Sequence, residues 1–163
     1  MKYRMNDEDV DARIAGLVDD VAGEQVSERD KEIVGEIIVT GLKLLRDEAG
    51  RGEMKMMNTA LKELRYSSIV FDPHRSTRKI AVYGSARTKP DDPNYLLAEE
   101  FSKRMATDEG WMVITGAGPG IMEAANRGAG LDASFGVNIR LPFENGANEY
   151  LSPGKVINFK YFF

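Results

Sequence analysis

Val113-Ile114-Thr115-Gly116-Ala117-Gly118-Pro119-Gly120-Ile121-Met122-Glu123 runs from a short apolar stretch, through a glycine-rich turn, straight into the start of a helix. Strand, turn and helix in that order are the repeating unit of an α/β domain. The apolar run 111–115, bounded by Gly110 and Gly116, predicts a buried strand, and Met122, Ala125 and Ala129 at helical spacing predict the helix, ending near 128–130. Glycines let the backbone turn tightly and approach another group closely. Pro119 suits a first helical turn, and the N–H groups of that turn lack intrahelical partners.

The same alternation recurs on both sides. Upstream, 80–83 is a short apolar run broken by Gly84, and Asp92-Pro93 caps and opens a helix carrying Leu97, Phe101 and Met105. Downstream, 135–141 alternates Phe135, Val137, Ile139 and Leu141 with Gly136, Asn138 and Arg140, the pattern of a half-exposed edge strand. A long loop, 142–154, leads to a last strand at 156–163. Strands joined by helix-length connections predict a parallel sheet of the doubly wound α/β class, with about four strands over 79–163. Residues 1–70 read instead as a helical extension. Val10, Ile14, Leu17, Val18 and Val21 share one helical face; Ser27 caps a helix at about 28–48; Met54, Met57, Leu61 and Leu64 mark a third. The methionines read as core packing, and 67–78 as a connector in which His74 has no partner at ligand or triad spacing.

Composition narrows the chemistry. The chain has 163 residues, 42% hydrophobic and 29% charged, enough for a real core without a staple. With no Cys, thiol catalysis and thiolate metal sites are excluded, and no metal site is expected. The net charge is −4, and residues 67–163 hold as many acidic as basic side chains, so the basic stripe that nucleic acid requires is missing. No apolar run reaches membrane-spanning length and the start lacks a secretory h-region, which predicts a cytoplasmic protein with no membrane partner. An acidic chain still binds a small phosphorylated ligand where backbone N–H groups converge.

The glycine turn offers that convergence. It is not a P-loop, because Ile121-Met122 follows Gly120 where Lys and Ser or Thr are required. It fits the dinucleotide pattern poorly, since the third glycine position falls on Ile121 and the later acidic residue is replaced by the Arg140 region. A second turn, Gly84-Ser85-Ala86-Arg87, follows the preceding strand, and strand C-terminal ends of a parallel sheet share one edge, with ligands at the switch point. The candidate site is therefore Gly84, Ser85, Ala86 and Arg87 with Thr115, Gly116, Ala117, Gly118, Pro119, Gly120, Ile121, Met122 and Glu123. Ser85 offers a hydroxyl, and Arg87 either a fixed charge for the ligand or a solvated loop residue. Glu123 is either a dipole-favoured acid or an acceptor for a ribose hydroxyl, and Asn126-Arg127 reads as helix packing. A strand-to-helix turn that binds nothing is the structural alternative.

These residues resemble the LONELY GUY (LOG) family of nucleoside 5′-monophosphate phosphoribohydrolases. The resemblance covers roughly 79–163 and is carried by Gly84-Ser85-Ala86-Arg87, by the block from Thr115 to Ala129, by Gly136-Val137-Asn138-Ile139-Arg140-Leu141-Pro142-Phe143-Glu144, and by Phe159-Lys160-Tyr161-Phe162-Phe163. Where the family has Gly-Gly-Gly, this chain has Gly116-Ala117-Gly118, a departure that keeps an N–H donor unless Ala117 must adopt a positive φ. The resemblance implies a Rossmann-like domain whose two turns hold the 5′-phosphate and ribose of AMP or a cytokinin ribotide. It also implies cleavage of the glycosidic bond to base and ribose 5-phosphate. No cofactor is implied; the ligand is a nucleoside monophosphate or phosphate. The family's catalytic Arg-Lys pair and its Pro-Gly-Gly-x-Gly-Thr-x-x-Glu loop would follow Phe163, so no catalytic residue is identified and the chain is expected to be a fragment. The N-terminal helices resemble extensions of longer relatives and are expected to serve a homodimer. A non-catalytic carrier or sensor of a nucleotide or molybdenum cofactor remains the alternative.

Overall fold

The computed structural model describes residues 3–139 and 146–160. The expected Arg140, Leu141, Pro142, Phe143 and Glu144 of the family-like stretch, and Tyr161, Phe162 and Phe163, lie outside the described residues. The chain divides into two compact units, Met1–Lys55 and Met56–Phe163.

In the first unit, α1 (Glu8–Val21) and α2 (Glu28–Arg46) begin at side-chain caps: Asp7 accepts from the Val10 N–H at 3.1 Å and Ser27 from that of Asp30 at 3.2 Å. Ile14, Val39 and Met5 form the buried cluster, flanked by Val10, Ile38 and Leu42. Leu17 and Val21, on the same predicted face, are exposed and line an apolar groove with Val26 and Val34.

α3 (Arg51–Phe71) begins in the first unit and ends in the second. It runs through Ser67 and Ser68, where a connector was expected, because both hydroxyls donate to the Leu64 carbonyl (2.8 and 3.0 Å) instead of breaking the helix. Pro73 then turns the chain through a short 3-10 segment, Asp72–His74. Met56 and Met57 are each 43% exposed, so these methionines are not the core filling expected of them.

The second unit carries the sheet: β1 (Lys79–Ala81), β2 (Met112–Thr115), β3 (Ser134–Ile139) and β4 (Val156–Phe159), all parallel and in the order β1-β2-β3-β4. This is an α/β Rossmann-like arrangement. The strands follow one another sequentially, so no reversal of winding lies among them, in contrast to the expected doubly wound order. β3 is interior rather than an edge. Its alternation reflects close packing, since a Cβ at Gly136 would meet Leu151 at 2.7 Å and Ala117 at 2.9 Å. The crossover helices are α4 (Pro93–Thr107), capped by Asp92, and α5 (Ile121–Ala133). They pack tightly on each other: at Gly128 a Cβ would fall 2.0 Å from the Glu99 carbonyl oxygen.

Side chains sort to the two sheet faces by strand alternation. Thr115 and Ser134 point toward α5, bonding Asn126 through its side chain and its carbonyl respectively. Phe135, fully buried, meets the Phe71 ring (4.9 Å between centroids) and the His74 ring edge-on (5.2 Å) on the opposite face. His74 is thus a packing residue. Lys79 fixes the turn beside it by donating to the carbonyls of His74 and Thr77 at 2.6 and 2.8 Å.

Candidate functional site

β1 and β2 are hydrogen-bonded neighbours, so the turns that leave them emerge side by side on one sheet edge; adjacency, not a switch point, brings them together. They interlock at backbone level. The Ser85 carbonyl accepts the first N–H of α5, from Ile121, at 3.2 Å. Gly120, with φ 70° and ψ −126°, lies against that turn: a Cβ there would sit 2.3 Å from the Ser85 oxygen and 2.9 Å from the Ala86 carbonyl carbon. Gly84 in turn lies against Ile121, where a Cβ would fall within 2.6 Å of its side chain. Gly84, Ser85, Ala86, Gly120 and Ile121 are therefore one structural unit.

What this unit presents follows from helix geometry. The second and third N–H groups of α5, on Met122 and Glu123, have no hydrogen-bond partner among the described residues, and they carry the positive end of the helix dipole. Ser85 and Arg87 are exposed next to them, and the Arg87 N–H donates to Ser85 Oγ at 3.2 Å, which shapes the turn. Pro119 is exposed at the mouth. The Met122 thioether covers the Cα side of Gly116 and Gly118, within 3.0 and 2.7 Å of a built Cβ at each.

Thr115 and Ala117 point inward instead. Buried Thr115 donates its hydroxyl to Asn126 Oδ1 at 2.7 Å and accepts the Ala117 N–H at 2.9 Å. Ala117 adopts φ 64°, so the condition attached to its replacing a family glycine is met, and its N–H is already used within the turn. Left-handed backbone costs an alanine about 1–2 kcal/mol. Glycine there would lose a buried methyl worth about 0.8 kcal/mol and add roughly 0.5–1 kcal/mol of backbone entropy cost. Ala117→Gly is accordingly expected to leave the urea midpoint nearly unchanged. Ala117→Val, branched at Cβ beside Gly136, should lower it clearly.

Glu123 reaches sideways. Its Oε1 accepts from the phenol of buried Tyr95, on α4, at 2.9 Å. Burial, then the bond to Glu123, hold the Tyr95 hydroxyl above its ordinary pKa, so it stays a neutral donor. Arg127, on the next turn, pairs with Glu99 at 3.3 Å, consistent with helix packing.

Asn126, read from the sequence as helix packing, lies in the interior as that reading has it, but its polar bonds and the role of Asn148 were not foreseen. Asn126 is fully buried, and its Oδ1 accepts from Thr115 and from Asn148 Nδ2 (3.0 Å), leaving its own Nδ2 without a partner among the described residues. Asn148 Nδ2 also lies 3.2 Å from the carbonyl oxygens of Ala117 and Gly118, and its N–H donates to the Ala117 carbonyl at 2.9 Å. Its Oδ1 accepts from the Tyr150 N–H at 3.2 Å, closing a local turn. Among the described residues no group of His, Asp or Glu could hold a metal ion, and no helix is long and apolar enough to cross a membrane.

Fold and site together define a Rossmann-like α/β domain with a glycine-rich turn at the start of a helix. Residues 77–150, which carry both turns and α5, match the model of the SLOG cluster4 family. The SLOG superfamily includes LOG-like Rossmann proteins and is related at that level to nucleotide function. No curated protein matches the chain.

Proposed function

We propose that the chain binds a nucleoside 5′-monophosphate of the AMP or cytokinin-ribotide type, with its phosphate at the start of α5 between residues 84–87 and 118–123. One observation carries this reading: the Ser85 carbonyl consumes the Ile121 N–H, which locks the two turns together and leaves the N–H groups of Met122 and Glu123 beside the turn that bears Ser85 and Arg87. Oriented N–H groups with an adjacent guanidinium are what a phosphate dianion needs. The family match over 77–150 supports a nucleotide ligand.

The reaction that such binding would serve is hydrolysis of the N-glycosidic bond to base and ribose 5-phosphate. It requires a carboxylate to activate water and to stabilise an oxocarbenium-like state. Glu123 is the acid in the stretch of the glycine turn itself, and its Oε1 is engaged by Tyr95. In this reading the catalytic carboxylate and arginine come from residues other than those described. The same engagement of Glu123 favours a second reading, a carrier or sensor that binds nucleotide on these turns without turnover.

Calorimetric titration with AMP, ribose 5-phosphate and adenosine tests the binding, and an assay for released adenine separates the two readings. AMP and ribose 5-phosphate should bind and adenosine should not. Arg87→Ala should weaken AMP about tenfold, the value of one charge-assisted hydrogen bond, with little effect on stability because the side chain is exposed. Absence of heat with both phosphate ligands would overturn the reading.

A further inference from the structure

Resting on the phosphate site just assigned, we propose that Asn148 is a positioning residue of that site: it turns the Ala117–Gly118 peptide so that the Gly118 N–H becomes an anion donor. Asn148 contributes two donors to one carbonyl. Its backbone N–H (2.9 Å) and its Nδ2 (3.2 Å) both reach the Ala117 oxygen, and the same Nδ2, whose two hydrogens are shared among three acceptors, lies 3.0 Å from Asn126 Oδ1 and 3.2 Å from the Gly118 oxygen. On its other side, Ala117 is held by the bond from its N–H to Thr115 Oγ1. The residue at φ 64° is thus fixed from both ends, which is how a strained backbone persists.

The consequence follows from peptide planarity. In a trans peptide the C=O of one residue and the N–H of the next point in opposite directions. With the Ala117 oxygen drawn to Asn148, the Gly118 N–H faces away from Asn148, and it has no hydrogen-bond partner among the described residues. The peptide after it offers no N–H, because residue 119 is proline, and its carbonyl is also turned to Asn148. Gly118 is therefore the donor that the turn adds to those of Met122 and Glu123. Asn148 reaches it from a segment 30 residues further along the chain.

The test is an amide-resolved NMR titration of the full chain with ribose 5-phosphate, run on the native protein, Asn148→Ala and Asn148→Ser, together with thermal melting of each. In the native protein the Gly118, Met122 and Glu123 amide protons should all move downfield. In Asn148→Ala, which keeps the backbone N–H bond to Ala117 but loses every Nδ2 contact, the Gly118 shift should shrink while Met122 and Glu123 still respond, and the affinity should fall up to about tenfold. Asn148→Ser, which keeps a short donor, should recover part of the Gly118 shift. A native protein in which Met122 and Glu123 respond but Gly118 does not would overturn this role for Asn148 and leave the phosphate site standing. Lower melting of Asn148→Ala with unchanged affinity and Gly118 shift would make Asn148 merely structural. No response at any of the three amides would instead overturn the phosphate site itself.

Discussion

Gly120→Ala is expected to destabilise the domain by about 3 kcal/mol or more and to abolish phosphate binding at the start of α5. Two costs combine. The backbone at φ 70° and ψ −126° lies in a region open essentially to glycine, which costs any other residue about 1–3 kcal/mol. The added Cβ would also stand 2.3 Å from the Ser85 carbonyl oxygen, a backbone atom that cannot swing aside as a side-chain tip would. Relief requires the turn of Ser85 and Ala86 to move off α5, which breaks the bond from Ile121 N–H to Ser85 and separates the two halves of the site. Gly110→Ala isolates the first cost. Gly110 has φ 66° and open space around its Cβ position, so its variant should lose only about 1–2 kcal/mol. Equal losses at the two positions, read from urea midpoints, would mean that the turns are not locked together.

Asn126→Leu is expected to cost about 1–3 kcal/mol, although leucine nearly matches asparagine in shape. Asn126 Oδ1 is the acceptor for the Thr115 hydroxyl and for one contact of Asn148 Nδ2, all in the interior beneath the glycine turn. Leucine leaves the Thr115 hydroxyl without its acceptor and leaves no room for water, whereas Asn148 Nδ2 keeps the Ala117 and Gly118 carbonyls; a buried unpaired donor costs about 1–3 kcal/mol. Asn126→Ala removes the same acceptor but opens space that water can occupy, so it should cost less than Asn126→Leu. The reverse order, in denaturant titrations of both variants, would show that packing rather than hydrogen bonding decides this position.

Much of the fold was legible because its signals are local. Ser27 and Asp92 cap the helices they were expected to cap, and the glycine turn stands between β2 and α5 where the residue order put it. The errors arose where distant chain decides the outcome. β3 looks like an edge strand because Gly136 interrupts its apolar residues, yet that glycine is small to admit Leu151 and Ala117. The end of α3 looks like a linker because Ser67 and Ser68 are polar, yet their hydroxyls fold back onto Leu64. At the site, the turn residues were visible as a pattern, but their division of labour was not. Thr115 and Ala117 serve the interior, and Glu123 is tied to Tyr95, 28 residues earlier. Asn126 and Asn148 carried only a faint signal. An asparagine inside an otherwise apolar helix face marks a buried polar site, but its partner, 22 residues away, emerges only when the sheet is formed.

The proposed site has the two interlocked turns hold one phosphate at the start of α5. A crystal of the chain with adenosine 5′-thiophosphate, measured for anomalous scattering from sulfur, tests it most directly. A peak is expected within hydrogen-bonding reach of the Gly118, Met122 and Glu123 amides and of Ser85 or Arg87. A ligand whose sulfur lies elsewhere, or crystals that show only the methionine sulfurs at saturating ligand, would contradict it.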